Sequence, residues 1–382
     1  MPGQLSDIGR RTRSQRYALW VICALGFVAL SALWPLHGRN EMGWDFPQFY
    51  LAARLPIADL YNRTAYLALA HRVFDGFGIR HFPPFARPAI FALPLAPLGW
   101  LSYWDAFRVW SGTQFACYIT ALWLLRRIYA YPPEMLLLWA LYYPPMHSIW
   151  EGQDAPGVLL VVLIAFLRLR AGDERLAGLM FSLCVYKFNL FLLLPLYLLA
   201  QRRWQALRYM LAGAAVLLGL SNLLQSPHAY AKWLKGIPDM TINFGPHLMP
   251  GLRGLSGGSV VIYAIAAIAV LAVAFGAMLR TDETRALAIM ITASLLIAYH
   301  VIYYDLTLLA IPIAVSLATP GALPRAASLV LLAAVPLWFC PAPYVAVVVV
   351  LLFVGQLYSV KRGKGSEAFP AQHRPAHINF GC

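Results

Sequence analysis

Charged residues are scarce in this sequence. They account for 12% of the 382 residues, whereas 60% of the residues are apolar. Soluble domains carry about 25% charged residues. So little charge cannot provide a polar surface around an apolar interior of this size, so we expect the surrounding solvent to be a lipid bilayer. The composition excludes a soluble globular enzyme.

Patterns for metal or nucleic-acid binding are missing as well. The five cysteines show neither metal-ligand spacing nor a disulfide framework. The turn Glu151-Gly152-Gln153-Asp154 offers two carboxylates and one amide, too few ligands for a divalent cation, so we predict no obligatory metal and no cofactor. Basic cytoplasmic loops explain the formal net charge of +14 better than nucleic-acid binding does.

Long apolar runs are what the sequence does contain. An α-helix needs about 20 predominantly apolar residues to cross a bilayer. We therefore predict an all-α polytopic membrane protein, a helical bundle of about 10–12 transmembrane or re-entrant helices in one domain over residues 1–360, with a disordered cytoplasmic tail over 361–382. The runs extend over 17–36, 85–100, 104–125, 132–150, 154–168, 176–200, 205–224, 258–279, 286–303, 305–319, 326–339 and 343–360.

Two of these runs decide the topology. The run 85–100 contains three prolines, and the run 176–200 carries Lys187 at its midpoint, where a charge at the bilayer centre costs about 2.5–3.5 kcal/mol. Either 85–100 does not cross and 176–200 is a hairpin that turns near Lys187, or both runs cross once. Only the first topology places all the basic clusters on the cytoplasmic side, so the positive-inside rule favours it. The arginines that distinguish the two are Arg126, Arg127, Arg168, Arg170 and Arg175.

The favoured topology places most of the unusual polar residues outside the cell. Four arginines precede the run 17–36, which is too long for a signal-peptide core, so we predict a retained signal anchor and cytoplasmic termini in a bacterial inner membrane. The loops 37–84 and 225–257 and the turn at Lys187 then face the exterior.

The first loop contains an acidic residue among aromatic ones, in Gly43-Trp44-Asp45-Phe46-Pro47. Asp45 is either the N-cap of a helix that begins near Pro47 or a catalytic base at the membrane surface. Residues 64–77 have an apolar stripe opposite a charged one. This predicts an amphipathic helix that either lies in the membrane interface or packs on the rest of the loop.

A series of short motifs resembles glycosyltransferase family 87, over about residues 43 to 310. The motifs are Asp45-Phe46, Tyr-Leu-Ala-Ala-Arg at 50–54, Asp59-Leu60-Tyr61, Phe82-Pro83-Pro84-Phe85, Leu93-Pro94-Leu95-Ala96-Pro97-Leu98, Gly152-Gln153, and Ala177-Gly178 with Lys187 downstream. Two features depart from the family pattern. Phe188-Asn189 follows the lysine where the family often has proline, and the late segment 300–305 lacks the Trp- and His-rich form of the actinobacterial mannosyltransferases.

The resemblance implies an inverting transferase of the GT-C class. Its donor would be a polyprenyl-phosphate sugar, typically mannose, and its acceptor a lipid or glycan. Asp45 matches the family's first-loop aspartate, its proposed base. A lipid phosphate is already a good leaving group, so one carboxylate base is enough and no paired acid is needed.

The candidate substrate-binding residues each have a structural alternative. Lys187 would bind the donor phosphate, or it snorkels to the interface or is paired internally with Glu151 or Asp154. His300 and Asp305 would contact the sugar, or they form a buried pair at a helix end. Arg253 and His247 in the second external loop would close over the sugar, or they only make that loop soluble. The full set is Lys187, Arg253, His247, Gln153, Gln48, Tyr50, His300 and Asp305.

A secondary transporter or flippase is the main alternative function, because broken helices and a mid-membrane lysine occur there too. A membrane scaffold without catalysis is the third functional hypothesis. The transferase hypothesis predicts that residues 43–54, the turn at Lys187 and the turn at 300–305 converge on one external cavity open to lipid.

Overall fold

The structure is a computed structural model of the chain. It describes residues 43–75, 82–129, 135–225, 231, 245–319, 322–334, 337, 338 and 340–362. The predicted signal anchor over 17–36 and nearly all of the predicted tail over 361–382 lie outside these residues.

Helices form all the regular structure in the described part of the chain, which contains no strand. The α-helices are α1 (Pro47–Arg54), α2 (Arg63–Phe74), α3 (Tyr103–Tyr129), α4 (Met135–Ala140), α5 (Tyr143–Glu151), α6 (Ala155–Arg170), α7 (Glu174–Ser182), α8 (Leu194–Ala200), α9 (Trp204–Leu223), α10 (Leu252–Leu255), α11 (Val260–Met278), α12 (Glu283–Ile297), α13 (Ala310–Ala318), α14 (Ala322–Ala333) and α15 (Ala342–Arg362). The 3-10 helices are Ile57–Asp59, Ala89–Trp100, Leu183–Leu190, Pro246–Leu248 and Tyr303–Leu309.

Three helices are long and apolar enough by themselves to cross a bilayer: α9, α11 and residues 342–360 of α15. Helix α11 turns large apolar side chains outward, including Val261 and Ile268, which are 69% and 66% exposed. Side chains of this kind are stable at such exposure in lipid. The prediction of an all-α polytopic membrane protein is confirmed.

Helices α3 and α6 run parallel to each other. The Trp110 indole donates to the Gly152 carbonyl at 2.8 Å, and the Gly157 amide donates to the Gln114 side chain at 2.9 Å. Higher residue numbers therefore face higher residue numbers along the pair, and both helices end on the same side of the bundle.

That side carries the basic residues that the favoured topology groups together. We call it the basic face, defined by Arg126 and Arg168 at the ends of α3 and α6 and by Arg203 before α9. The opposite side, defined by Asp45 and by Gly152 where α6 begins, is called the site face.

The segment 174–200 is a hairpin. Helix α7 leads to a 3-10 helix whose regular geometry breaks at Lys187 (φ −124°, ψ 54°), and α8 leads back. Both ends lie on the basic face, because Arg203 bonds Glu174 at 3.1 Å and Glu283 at 2.8 Å. The predicted hairpin is confirmed, and the single crossing is wrong.

The proline-rich segment Ala89–Trp100 also fails to cross. Its interior prolines cannot donate backbone hydrogen bonds, and it forms a 3-10 helix. Both flanks return to α1: Arg87 bonds Gln48, and the Leu101 carbonyl accepts from the Tyr50 hydroxyl at 2.8 Å. Since Gln48 and Tyr50 are two residues apart, the segment lies beside α1 on the site face, as predicted.

Helix α2 packs on the rest of the first loop. Its apolar stripe, Tyr66, Ala70 and Phe74, is buried in an aromatic cluster with α1 and the start of α3. The predicted packing on the rest of the loop is observed for these three residues, while Leu69 and Val73 of the predicted stripe are only half-buried. A position of the helix in the membrane interface stays a prediction. The helix ends at Phe74; the predicted continuation over 76–77 lies outside the described residues.

We predict that Gly178→Val lowers the thermal stability of the detergent-solubilised protein. A side chain at Gly178 would run into the Ala206 carbonyl of α9 and come within 2.8 Å of Tyr209. Overpacking of this kind costs about 1–3 kcal/mol. Gly219→Val in α9 is the control, because that position has open space around it. Equal melting temperatures for the two variants would contradict this packing.

Candidate functional site

Asp45 is not the N-cap of α1. The cap is Phe46, which has helical backbone angles and makes no side-chain cap hydrogen bond. The Asp45 amide instead donates to the Glu151 carbonyl at 3.1 Å, and the Gly43 amide donates to the Trp150 carbonyl at 2.9 Å. The predicted cap is wrong, because helical backbone angles already begin at Phe46 and the Asp45 backbone is held against the end of α5.

A glycine allows this contact. Gly152 ends α5 in the left-handed region (φ +77°), where residues other than glycine are strained. A side chain there would also run into Phe46. The turn places Gln153 and Asp154 beside the first-loop residues around Asp45. Helix α6 begins directly after it, with a proline in its first turn.

Gln153 connects Asp45 to the buried interior. Its amide nitrogen donates to the Asp45 carboxylate at 2.7 Å, and its amide oxygen accepts from Arg87 at 3.3 Å. Gln153 is 2% exposed, whereas Asp45 is half-buried. Both the nitrogen and the oxygen of this buried amide are therefore engaged in hydrogen bonds.

Arg87 is the centre of the polar network and was not among the predicted site residues. Its guanidinium donates to Gln48 and to Asp154, each at 3.3 Å, and lies over the rings of Phe49 and Tyr186. One signal in the sequence marks it: an arginine between two prolines at the entry to an apolar run needs a partner.

Lys187 forms two buried ion pairs. Its ammonium lies 2.8 Å from Asp154 and 3.0 Å from Asp305, and its side chain is 6% exposed. The hydroxyl of Tyr186 donates to the other Asp154 oxygen. The hairpin carries Lys187 to the site face, where its side chain is buried. Of the alternatives, internal pairing with Asp154 is observed, because an unpaired ammonium in this interior would be far more costly than a paired one.

Asp305 is held by the segment that follows α12. One carboxylate oxygen pairs with Lys187, and the other accepts the Ile302 amide at 3.1 Å. The neighbouring His300 carbonyl accepts from Asn189, just after the lysine, at 2.8 Å. The turn at 300–305 and the turn at Lys187 are thus joined by side-chain and backbone contacts.

The predicted convergence of the three segments is observed, whereas a cavity open to lipid at that place stays a prediction. One continuous network runs Asp45–Gln153–Arg87–Asp154–Lys187–Asp305. It joins the first loop, the start of α6, the hairpin and the turn after α12 on the site face.

Of the remaining candidates, Tyr50, Arg253 and His247 form no part of this network, whereas His300 adjoins it through its carbonyl. The Tyr50 hydroxyl is used by the Leu101 carbonyl. Arg253 is 9% exposed, stacks on the Tyr299 ring and donates to the Tyr299 carbonyl at 3.2 Å, so it is docked rather than free to close. His247 is exposed in a 3-10 turn, and the half-buried His300 follows Tyr299.

A second acid lies beside Asp45 in space. Glu151 pairs with His147 at 3.2 Å, and His147 contacts the Tyr143 hydroxyl at 3.1 Å. The site therefore holds more carboxylates than permanent cations, a composition that suits a ligand rich in hydroxyl donors. Within the described residues, no group of three or more His, Cys, Asp or Glu side chains could hold a metal ion.

A family model for glycosyltransferase family 87 matches residues 85–302, which is more than half of the chain. The chain belongs to glycosyltransferase family 87. It is a membrane glycosyltransferase, which uses a sugar donor and an acceptor, and this membership favours transfer over the transporter and scaffold alternatives. The matched region includes Arg87, Gln153, Asp154 and Lys187 and begins after Asp45. No curated protein and no solved structure matches the chain.

We predict that Lys187→Met strongly destabilises this glycosyltransferase. Removing one partner of a buried ion pair costs about 3–5 kcal/mol, because the remaining charge stays buried. Here Asp154 and Asp305 would both lose a cation. Adding Asp305→Asn should restore part of the lost melting temperature.

Arg108→Met provides the comparison, since the Arg108–Asp105 pair at 2.7 Å is exposed. Exposed pairs contribute about 0–1 kcal/mol. Thermal unfolding in detergent distinguishes the two classes, and equal losses for Lys187→Met and Arg108→Met would contradict the buried network.

Proposed function

We propose that this glycosyltransferase transfers a hexose, with mannose as the expected sugar, from a polyprenyl-phosphate sugar to a lipid or glycan acceptor. The transfer inverts the configuration, and Asp45 is the general base. The observation that carries the proposal is the Asp45–Gln153 hydrogen bond of 2.7 Å. It ties the first-loop carboxylate to the buried polar network of the region that matches the family.

Asp45 is the best base among the three aspartates of the network. Asp154 and Asp305 are 4% and 3% exposed and are held by cations, which weakens a carboxylate as a base. Asp45 is half-buried, so an acceptor hydroxyl can reach it.

The donor phosphate would bind next to Lys187. An ammonium has three N–H donors, and Asp154 and Asp305 account for two of them. The guanidinium of Arg253 is the second candidate for the phosphate, on the far side of the turn that carries His300. Gln48, Tyr50, His247, His300 and Asp305 remain candidates for the sugar and its surroundings.

The transfer itself needs one proton movement. Asp45 takes the proton of the acceptor hydroxyl, and the hydroxyl oxygen forms a bond to the anomeric carbon. The bond between that carbon and the phosphate oxygen breaks at the same time, and polyprenyl phosphate leaves with the electron pair. Attack from the face opposite the phosphate inverts the configuration, and no covalent sugar–enzyme intermediate is required.

The site would face the exterior of a bacterial inner membrane. It lies at the end of the bundle opposite the basic face, and basic residues favour the cytoplasmic side. Both termini would then be cytoplasmic, and the fold would be of the GT-C type, with no obligatory metal.

We predict that Asp45→Asn abolishes sugar transfer from radiolabelled polyprenyl-phosphate mannose to membrane lipid extract. Loss of a general base lowers the rate about 100- to 10,000-fold. The variant should express and unfold like wild type, because asparagine keeps the size of the side chain. Parallel assays with polyprenyl-phosphate glucose and with a nucleotide sugar identify the donor.

Asp75→Asn is the matched control, since Asp75 is an exposed carboxylate at the end of α2. It should keep wild-type activity. Full activity of Asp45→Asn would overturn the assignment of the base, and transfer from the nucleotide sugar alone would overturn the assignment of the donor.

A further inference from the structure

We infer that Arg87 and Gln153 form a positioning pair that sets the orientation and the charge of the Asp45 carboxylate. Neither residue contacts the reacting atoms in this proposal, which rests on the proposed role of Asp45 as base. Gln153 acts on the base directly, and Arg87 acts through Gln153.

The orientation of the Gln153 amide is determined from both sides. An arginine can only donate hydrogen bonds, so the amide oxygen must face Arg87. An ionised carboxylate can only accept, so the amide nitrogen must face Asp45. Both neighbours require the same orientation, and a rotated amide would place like groups together on each side.

Arg87 is itself fixed by four further contacts. It donates to Gln48 and to Asp154 and lies over the rings of Phe49 and Tyr186. It is 8% exposed, so its guanidinium cannot swing into solvent. The position of the Asp45 carboxylate is therefore fixed by the rigid Arg87 side chain, through Gln153, and not by the first loop alone.

The same connection fixes the distance between base and phosphate site. Asp154 bonds Arg87 at one oxygen and Lys187 at the other. A shift of the hairpin that carries Lys187 would move Arg87 and Gln153 with it. Since a misplacement of about 1 Å can cost about 100-fold in rate, a continuous connection between the two halves of the site is chemically useful.

Gln153→Glu tests the effect on charge. It places a second carboxylate against Asp45, and repulsion between two carboxylates raises the pKa of one of them, while the Arg87 guanidinium offsets part of that rise. The acid side of the pH profile of kcat/KM should move upward by about one pH unit. Activity lost at low pH should return at higher pH. Gln201→Glu, at a half-buried glutamine on the basic face, should leave the profile unchanged.

Gln153→Leu and Arg87→Lys test the effect on position. Each should lower kcat by about 100-fold with the KM of the donor within a factor of about two. Because Arg87 acts through Gln153, the double variant should be no slower than Gln153→Leu alone. Thermal unfolding in detergent is measured for every variant, so that misfolded protein is recognised.

The outcomes separate this inference from the proposed function. A shifted profile and a non-additive double variant support the positioning pair. An unshifted profile for folded Gln153→Glu, or additive losses in kcat, overturns it while an inactive Asp45→Asn still upholds the base. Full activity of Asp45→Asn overturns the base itself, whatever the profile of Gln153→Glu.

Discussion

The structure depends on the neutralisation of charge in an interior that lipid surrounds. Asp154 lies between Arg87 and Lys187, and Asp305 completes the compensation of the lysine. Any of these charges would be costly alone in this environment, so the four side chains must meet. Three of the four side chains lie in or beside 3-10 helices: Arg87 precedes one, Lys187 interrupts a second, and Asp305 lies in a third, while Asp154 directly precedes α6. Continuous helices would carry these residues past one another.

This arrangement separates the groups that hold the fold from the group proposed to act on the substrate. The buried charges use most of their bonding capacity on one another. Asp45 lies at the edge, is half-buried, and is joined to them by the neutral amide of Gln153. A carboxylate in that place can respond to an acceptor, while the ion pairs behind it keep the geometry constant. The uneven number of acids and cations on the site face has the same consequence, since carboxylates that are not consumed by cations accept hydroxyl groups.

Much of the architecture could be predicted because it follows from hydrophobicity and charge. The apolar runs indicate the spanning helices, and the grouping of arginines selects the hairpin at 174–200 and the non-crossing segment at 85–100. The sequence left alternatives open for two side chains, for a common reason. Asp45 was either a helix cap or a base, and Lys187 was either a phosphate ligand or an internally paired lysine. Each bonds a residue more than 100 positions away in the chain. Local sequence patterns cannot predict contacts between residues that are far apart in the chain. For the same reason Arg87 was not predicted as a site residue.

The sequence by itself determined that this chain is a membrane protein, which face of the bundle is basic, and which family it resembles. Composition and short motifs are properties of the chain alone. Only the tertiary structure decided which polar residues form one network. It grouped Asp45, Gln153 and Lys187 with Arg87 and left His247 and Tyr50 outside. The reason is physical: the partner of a buried charge is selected by the three-dimensional need to neutralise it, and in this fold every such partner comes from a different segment.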